Sequence, residues 1–165
     1  MQMERLILTA MWLFGFAGFL LFIPRKDWRK GILAYMMFQA IIWLCDMPSF
    51  QLGLLSAPVR EFPKASHLPI TIDYWFYPVL FSIYYVHKNV KGSRWPRFTY
   101  YLVWVSAITL FDITLERFTD LLEYKRLTWW GMWIYIWFLF YVSQVLCNWF
   151  YKDKALFQAE RRDIR

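Results

Sequence analysis

Asp112, Glu116, Asp120 and Glu123 are spaced four, four and three residues apart. On a continuous helix of 3.6 residues per turn they fall within an arc of about 80°. Like charges at this spacing repel, so a solvated helix gains nothing from them. Two uses stand side by side. The acids form a stripe that binds a cation or passes a proton from the outer surface into a helical bundle. Alternatively, they hold basic side chains, for which Arg60, Lys64 and Arg126 are available, Arg126 three residues after Glu123. Asp46 and Asp73 extend the set, because each is an acid near the end of an apolar run. Ionisable groups inside such runs are costly and need a partner or a task. Asp73 has a second reading: if Pro69 and Thr71 start a helix, its carboxylate meets the free N–H groups of the first turn.

The loop around Pro58 and Pro63 is restrained by its prolines before anything binds it. With Arg60 and Lys64 four apart, it can bring two cations onto these acids, or it is a plain connection. Other chemistry is not indicated. No nucleophile–base pair, Gly-rich phosphate loop or metal-ligand spacing is present. His67 stands alone in its loop, and one histidine is not a metal site. Cys45 and Cys147 lie inside apolar runs and read as packing residues. No catalytic residue, cofactor or metal is therefore expected.

The elements that must position these residues follow from composition. The chain has 165 residues, 59% apolar and 23% aromatic. A soluble domain of this size would expose a large contiguous apolar patch. Lipid is the alternative solvent, and the composition excludes a soluble enzyme, a disulfide-stapled secreted domain and a disordered tail. The net charge of +7 does not indicate nucleic acid, because the basic residues fall in short clusters between apolar runs.

Five runs approach the roughly 20 residues needed to cross a bilayer: 6–23, 31–52, 70–86, 98–116 and 129–151. The first is too long for a signal peptide and is followed by basic residues rather than a cleavage site. Residues 117–128 contain no proline or glycine, so the fourth helix is expected to continue into them. Residues 152–165 form a basic tail. Of nineteen Lys and Arg residues, thirteen lie in 24–30, 87–97 and the tail, and six on the other side. The positive-inside rule then places the N-terminus outside and the C-terminus in the cytoplasm. Trp28, Trp95 and Trp149 mark the inner interface, and Trp129 and Trp130 the outer one. The fold expected is an all-α, five-span membrane bundle, with Gly15 and Gly18 allowing close helix approach.

Several motifs recur together: Pro24-Arg25-Lys26, Pro58-Val59-Arg60-x-Phe62-Pro63-x-Ala65, Tyr74-x-Phe76-Tyr77-Pro78, Glu116-x-x-Thr119-Asp120-Leu121-x-x-Tyr124 and Thr128-Trp129-Trp130. As an ordered set from about residue 5 to 151, they resemble an uncharacterised family of small multi-spanning membrane proteins from endospore-forming bacilli and clostridia. The resemblance implies a bacterial plasma membrane and a spore-related setting, and supplies no substrate or catalytic residue. Asp73 departs from the family pattern, which has glutamate there.

The function expected is a non-enzymatic membrane component, structural or accessory, whose partners are the bilayer and another membrane protein or a second copy. The alternative is a cation- or proton-linked transporter or sensor using Asp112 and Glu116. Inner-half polar groups would be needed for a path, and only Gln39, Ser82, Gln144 and Asn148 are found there.

Overall fold

The computed structural model describes residues 2–59, 68–88 and 94–163. It is a helical bundle in which α1 (Gln2–Phe22), α2 (Trp28–Gln51), α3 (Tyr77–His87), α4 (Arg94–Phe118) and α5 (Trp129–Asp163) follow in order. Among the described residues, four stretches are long and apolar enough to cross a membrane: Met3–Phe22, Arg25–Gln51, Trp95–Phe118 and Trp129–Tyr151. They turn large apolar side chains outward, including Leu6, Phe14 and Leu21 of α1 and Leu110 of α4. So much exposed apolar surface belongs to a protein embedded in lipid.

The third apolar run is the shortest and most enclosed. It starts as a six-residue π-helical segment, Thr71–Phe76, and continues as the eleven residues of α3. Together they span about 25 Å at 1.5 Å per residue. The segment packs on α1 and α2, and Val79, Phe81, Ser82 and Tyr84 are almost wholly buried. Its irregular start has a covalent cause. Pro78 has no N–H, so the Tyr74 carbonyl four residues earlier loses its helical donor. Two side chains one turn apart on α2 supply replacements: Tyr35 Oη donates to it at 2.6 Å and Gln39 Nε2 at 3.2 Å. Proline thus opens the helix where α2 can close it.

Around this centre the core is aromatic. Phe38 of α2 stacks on Phe81 at 4.8 Å, and Phe140 of α5 meets both rings edge-on. Tyr84 joins them from α3 and stacks on Tyr100 of α4.

Two boundaries differ from the sequence reading. The fourth helix does not continue through 117–128 but ends at Phe118. Thr119 stops it: its N–H and hydroxyl both bond the Leu115 carbonyl, and its Oγ1 accepts from the Leu121 N–H. The chain then forms a short strand, β2 (Glu123–Tyr124), antiparallel to β1 (Leu55–Ser56), with Leu55 opposite Tyr124. The Val59 N–H donates to Asp120 O, and the Leu54 carbonyl accepts from both Lys125 and Arg126. Gly53, at φ +64°, makes the turn out of α2 that this pairing requires. These long-range bonds replace those a longer helix would have made. At the other boundary, α5 runs past Tyr151 to Asp163, so the basic tail begins as helix. It is rich in Lys, Ala, Gln, Glu and Arg, all good helix formers, with no proline or glycine to stop it.

Candidate functional site

Toward the end of the bundle that holds β1 and β2, Asp46 near the end of α2, Asp73 in the π-helical segment and Asp112 in α4 are all buried. Asp46 is the junction. Tyr135 of α5 donates its hydroxyl to Asp46 Oδ1 at 2.5 Å. Asp73 lines the same cavity as Asp46. That cavity, which Tyr77 and Tyr135 also line, is small, about 20 Å³, enough for one water-sized occupant. The Tyr77 hydroxyl is buried there without a hydrogen-bond partner among the described residues.

Asp112 is different. It is completely buried, and among the described residues neither carboxylate oxygen has a hydrogen-bond partner. An isolated charge in such surroundings costs far more than any surface ion. Its electrostatic neighbours are Asp46 and the Tyr124 phenol of β2. Burial, with Asp112 and Glu116 nearby, pushes the Tyr124 hydroxyl well above the ordinary phenol range.

The four-residue stripe does not exist as one surface, because α4 ends before its last two members. Asp112 and Glu116 remain one turn apart on the helix, Asp112 buried and Glu116 half-buried. Asp120 is exposed beyond the helix end, and its backbone carbonyl holds Val59. Glu123 lies in β2 and pairs with Lys125 at 2.8 Å, both side chains being largely solvent-facing. Lys125 therefore replaces the expected Arg126, whose exposed side chain is on the same segment. Asp73 lies in the first turn of the π-helical segment, as considered from sequence, and it lines one cavity with Asp46 of α2. Arg60, Lys64 and His67 lie outside the described residues. Among the described residues, no group of three His, Cys, Asp or Glu side chains could hold a metal ion.

Sequence reasoning missed Tyr135, Tyr77 and Tyr124. Tyr77 and Tyr135, in apolar runs, were indistinguishable from packing rings, although each hydroxyl needs a partner when buried, and Tyr124 lies in a segment expected to be helix rather than strand. The inner-half polar groups were found, but their use was not. Gln39 reaches the Tyr74 carbonyl, and Ser82 donates to Gly31 O across α2. Tyr84 donates to Gln144 Oε1, and Tyr85 to Asn148 Oδ1. Each of the four joins two different elements.

No protein family, curated protein or solved structure matches the chain.

Proposed function

We propose that the chain is a non-enzymatic, structural or accessory protein of a bacterial plasma membrane. It crosses five times, with Thr71–His87 as the third, protein-enclosed span, the N-terminus outside and the C-terminus in the cytoplasm. The motif resemblance to the spore-former family supports that setting. The observation that carries the reading is the use of the inner-half polar groups. Gln39, Ser82, Gln144 and Asn148 all tie helices together, as side-chain hydrogen bonds do between membrane helices. The packed rings of Phe38, Phe81, Phe140 and Tyr84 fill the space between them. An ion reaching the acids would meet roughly 15 Å of packed apolar wall, at about ten residues of 1.5 Å each.

Asp112 favours a second reading, a proton- or cation-linked sensor or transporter, because among the described residues its buried carboxyl has no hydrogen bond that ties helices together. Liposomes containing the purified protein and a pH- or cation-sensitive dye separate the two. The structural reading expects no protein-dependent flux, and expects Asp112→Asn to melt at or above the wild-type temperature. A flux abolished by Asp112→Asn in folded protein would overturn it and establish the second.

A further inference from the structure

The end of the bundle opposite the acids carries a cleft that the reading above leaves without a task. It opens between α3, α4 and α5, has a volume of about 440 Å³, and is walled by Tyr101, Trp137 and Tyr141. Lys88, just after α3, and Arg97, in the first turns of α4, converge on it. No Asp or Glu is among the described residues lining it. We propose that this cleft binds the phosphodiester head of an anionic phospholipid, with Lys88 and Arg97 on the phosphate and the acyl chains running along the lipid-facing surface.

Three observations support this occupant. The charge is complementary and partly sheltered from water. Burial, with Arg97 and then Lys30 as neighbours, lowers the Lys88 ammonium below its ordinary value; an anion between the cations would relieve that repulsion. Lys30 donates to Val86 O at 3.3 Å and lies 5.2 Å above the Tyr85 ring, so it stands beside the cleft rather than in its wall. The level in the membrane also fits. Trp95 and Trp149 stand exposed toward this end of α4 and α5, and exposed tryptophans mark the headgroup depth. Finally, the walls combine rings with few free polar groups. Tyr101 donates its hydroxyl to Trp137 O, and Gln144 accepts from Tyr84. A wholly soluble anion would leave these aromatic walls uncovered, whereas a lipid covers them. Basic pockets between membrane helices take acidic headgroups in this way.

The proposal rests on the membrane reading of the bundle but not on its orientation. The test uses full-length protein in nanodiscs of phosphatidylcholine alone or with one quarter phosphatidylglycerol, and counts retained lipids by native mass spectrometry. Selective retention of phosphatidylglycerol is expected. Lys88→Gln and Arg97→Gln should each reduce it about fivefold, while Lys125→Gln at the opposite end should not change it. Equal retention of both lipids, or retention indifferent to both substitutions, would overturn the proposal. So would displacement of the lipid by millimolar glycerol phosphate, which would make a free phosphate the ligand. If neither variant folds, wild-type protein decides through salt: loss of selectivity at 1 M salt supports the ionic contact, and persistence refutes it. Thiol labelling tests the orientation separately, so failure of either result leaves the other standing.

Discussion

A tyrosine hydroxyl inside an apolar helix needs an acceptor, and in α5 the acceptor is 89 residues away. Tyr135 reaches Asp46 across the bundle, so one hydrogen bond fixes the rotation of α5 relative to α2. Removing the donor leaves a buried carboxyl oxygen without it. Tyr135→Phe should therefore cost about 1–3 kcal/mol, the penalty for an orphaned buried polar group. Asp46→Leu combined with Tyr135→Phe should cost less than the two single changes together, because no orphan remains. Thermal melts in one detergent give all three values, and strict additivity would show that the bond does not couple the helices. The acids were legible from sequence because a carboxylate in an apolar run is conspicuous. Tyr135 was not, because ten tyrosines and nine tryptophans share those runs, and only the folded bundle says which ring has a carboxyl beside its hydroxyl.

How the elements meet depends on absent atoms as much as present ones. At Gly15 an added Cβ would sit 2.3 Å from Trp75 Nε1. That ring cannot move aside easily, being stacked on Trp12 at 4.8 Å and packed against Phe16 at 4.6 Å. Trp12 is itself tied down by its indole N–H, which donates to Thr71 Oγ1 at 2.8 Å. At Gly18 the same Cβ would meet Ile83 Cδ1 at 3.5 Å, an ordinary contact. Gly15→Ala should thus destabilise the docking of α1 by about 1–3 kcal/mol, the usual cost of overpacking, and Gly18→Ala should be near neutral. Proteolysis or melting of the two variants measures this, and equal behaviour would mean that α1 is not seated on Trp75. From sequence the two glycines had the same meaning. Their difference depends on which face meets the π-helical segment, whose displaced start comes from Pro78 acting together with Tyr35 and Gln39. The end of α4 was illegible for a related reason. Residues 119–128 have no local breaker, and their departure from helix is decided by partners at 54–59.

At the scale of the whole molecule, the two ends of the bundle differ in sign. Asp46, Asp73 and Asp112 are buried toward the end closed by β1 and β2, whereas Lys30, Lys88 and Arg97 gather where α2 and α4 begin and α3 ends. An excess of Lys and Arg marks the cytoplasmic side because translocating them is disfavoured, while acids contribute little to the choice. The basic end is therefore expected inside, and the 87–97 connection with it. For this to hold, Thr71–His87 must carry the chain from the acidic end to the basic one, although it is shorter than its neighbours. Its length of about 25 Å falls a little below the roughly 30 Å hydrocarbon core, and because α1 and α2 cover it, little of that mismatch meets lipid. Single substitutions Ser66→Cys and Ser93→Cys, each in a Cys45→Ala/Cys147→Ala background, place one thiol on either side of that segment. A membrane-impermeant thiol reagent applied to intact cells should label the first and spare the second until the cells are opened. Labelling of both in intact cells would mean that the segment re-enters rather than crosses, leaving four spans. Labelling of the second alone would invert the bundle and move the acid cluster to the cytoplasmic side.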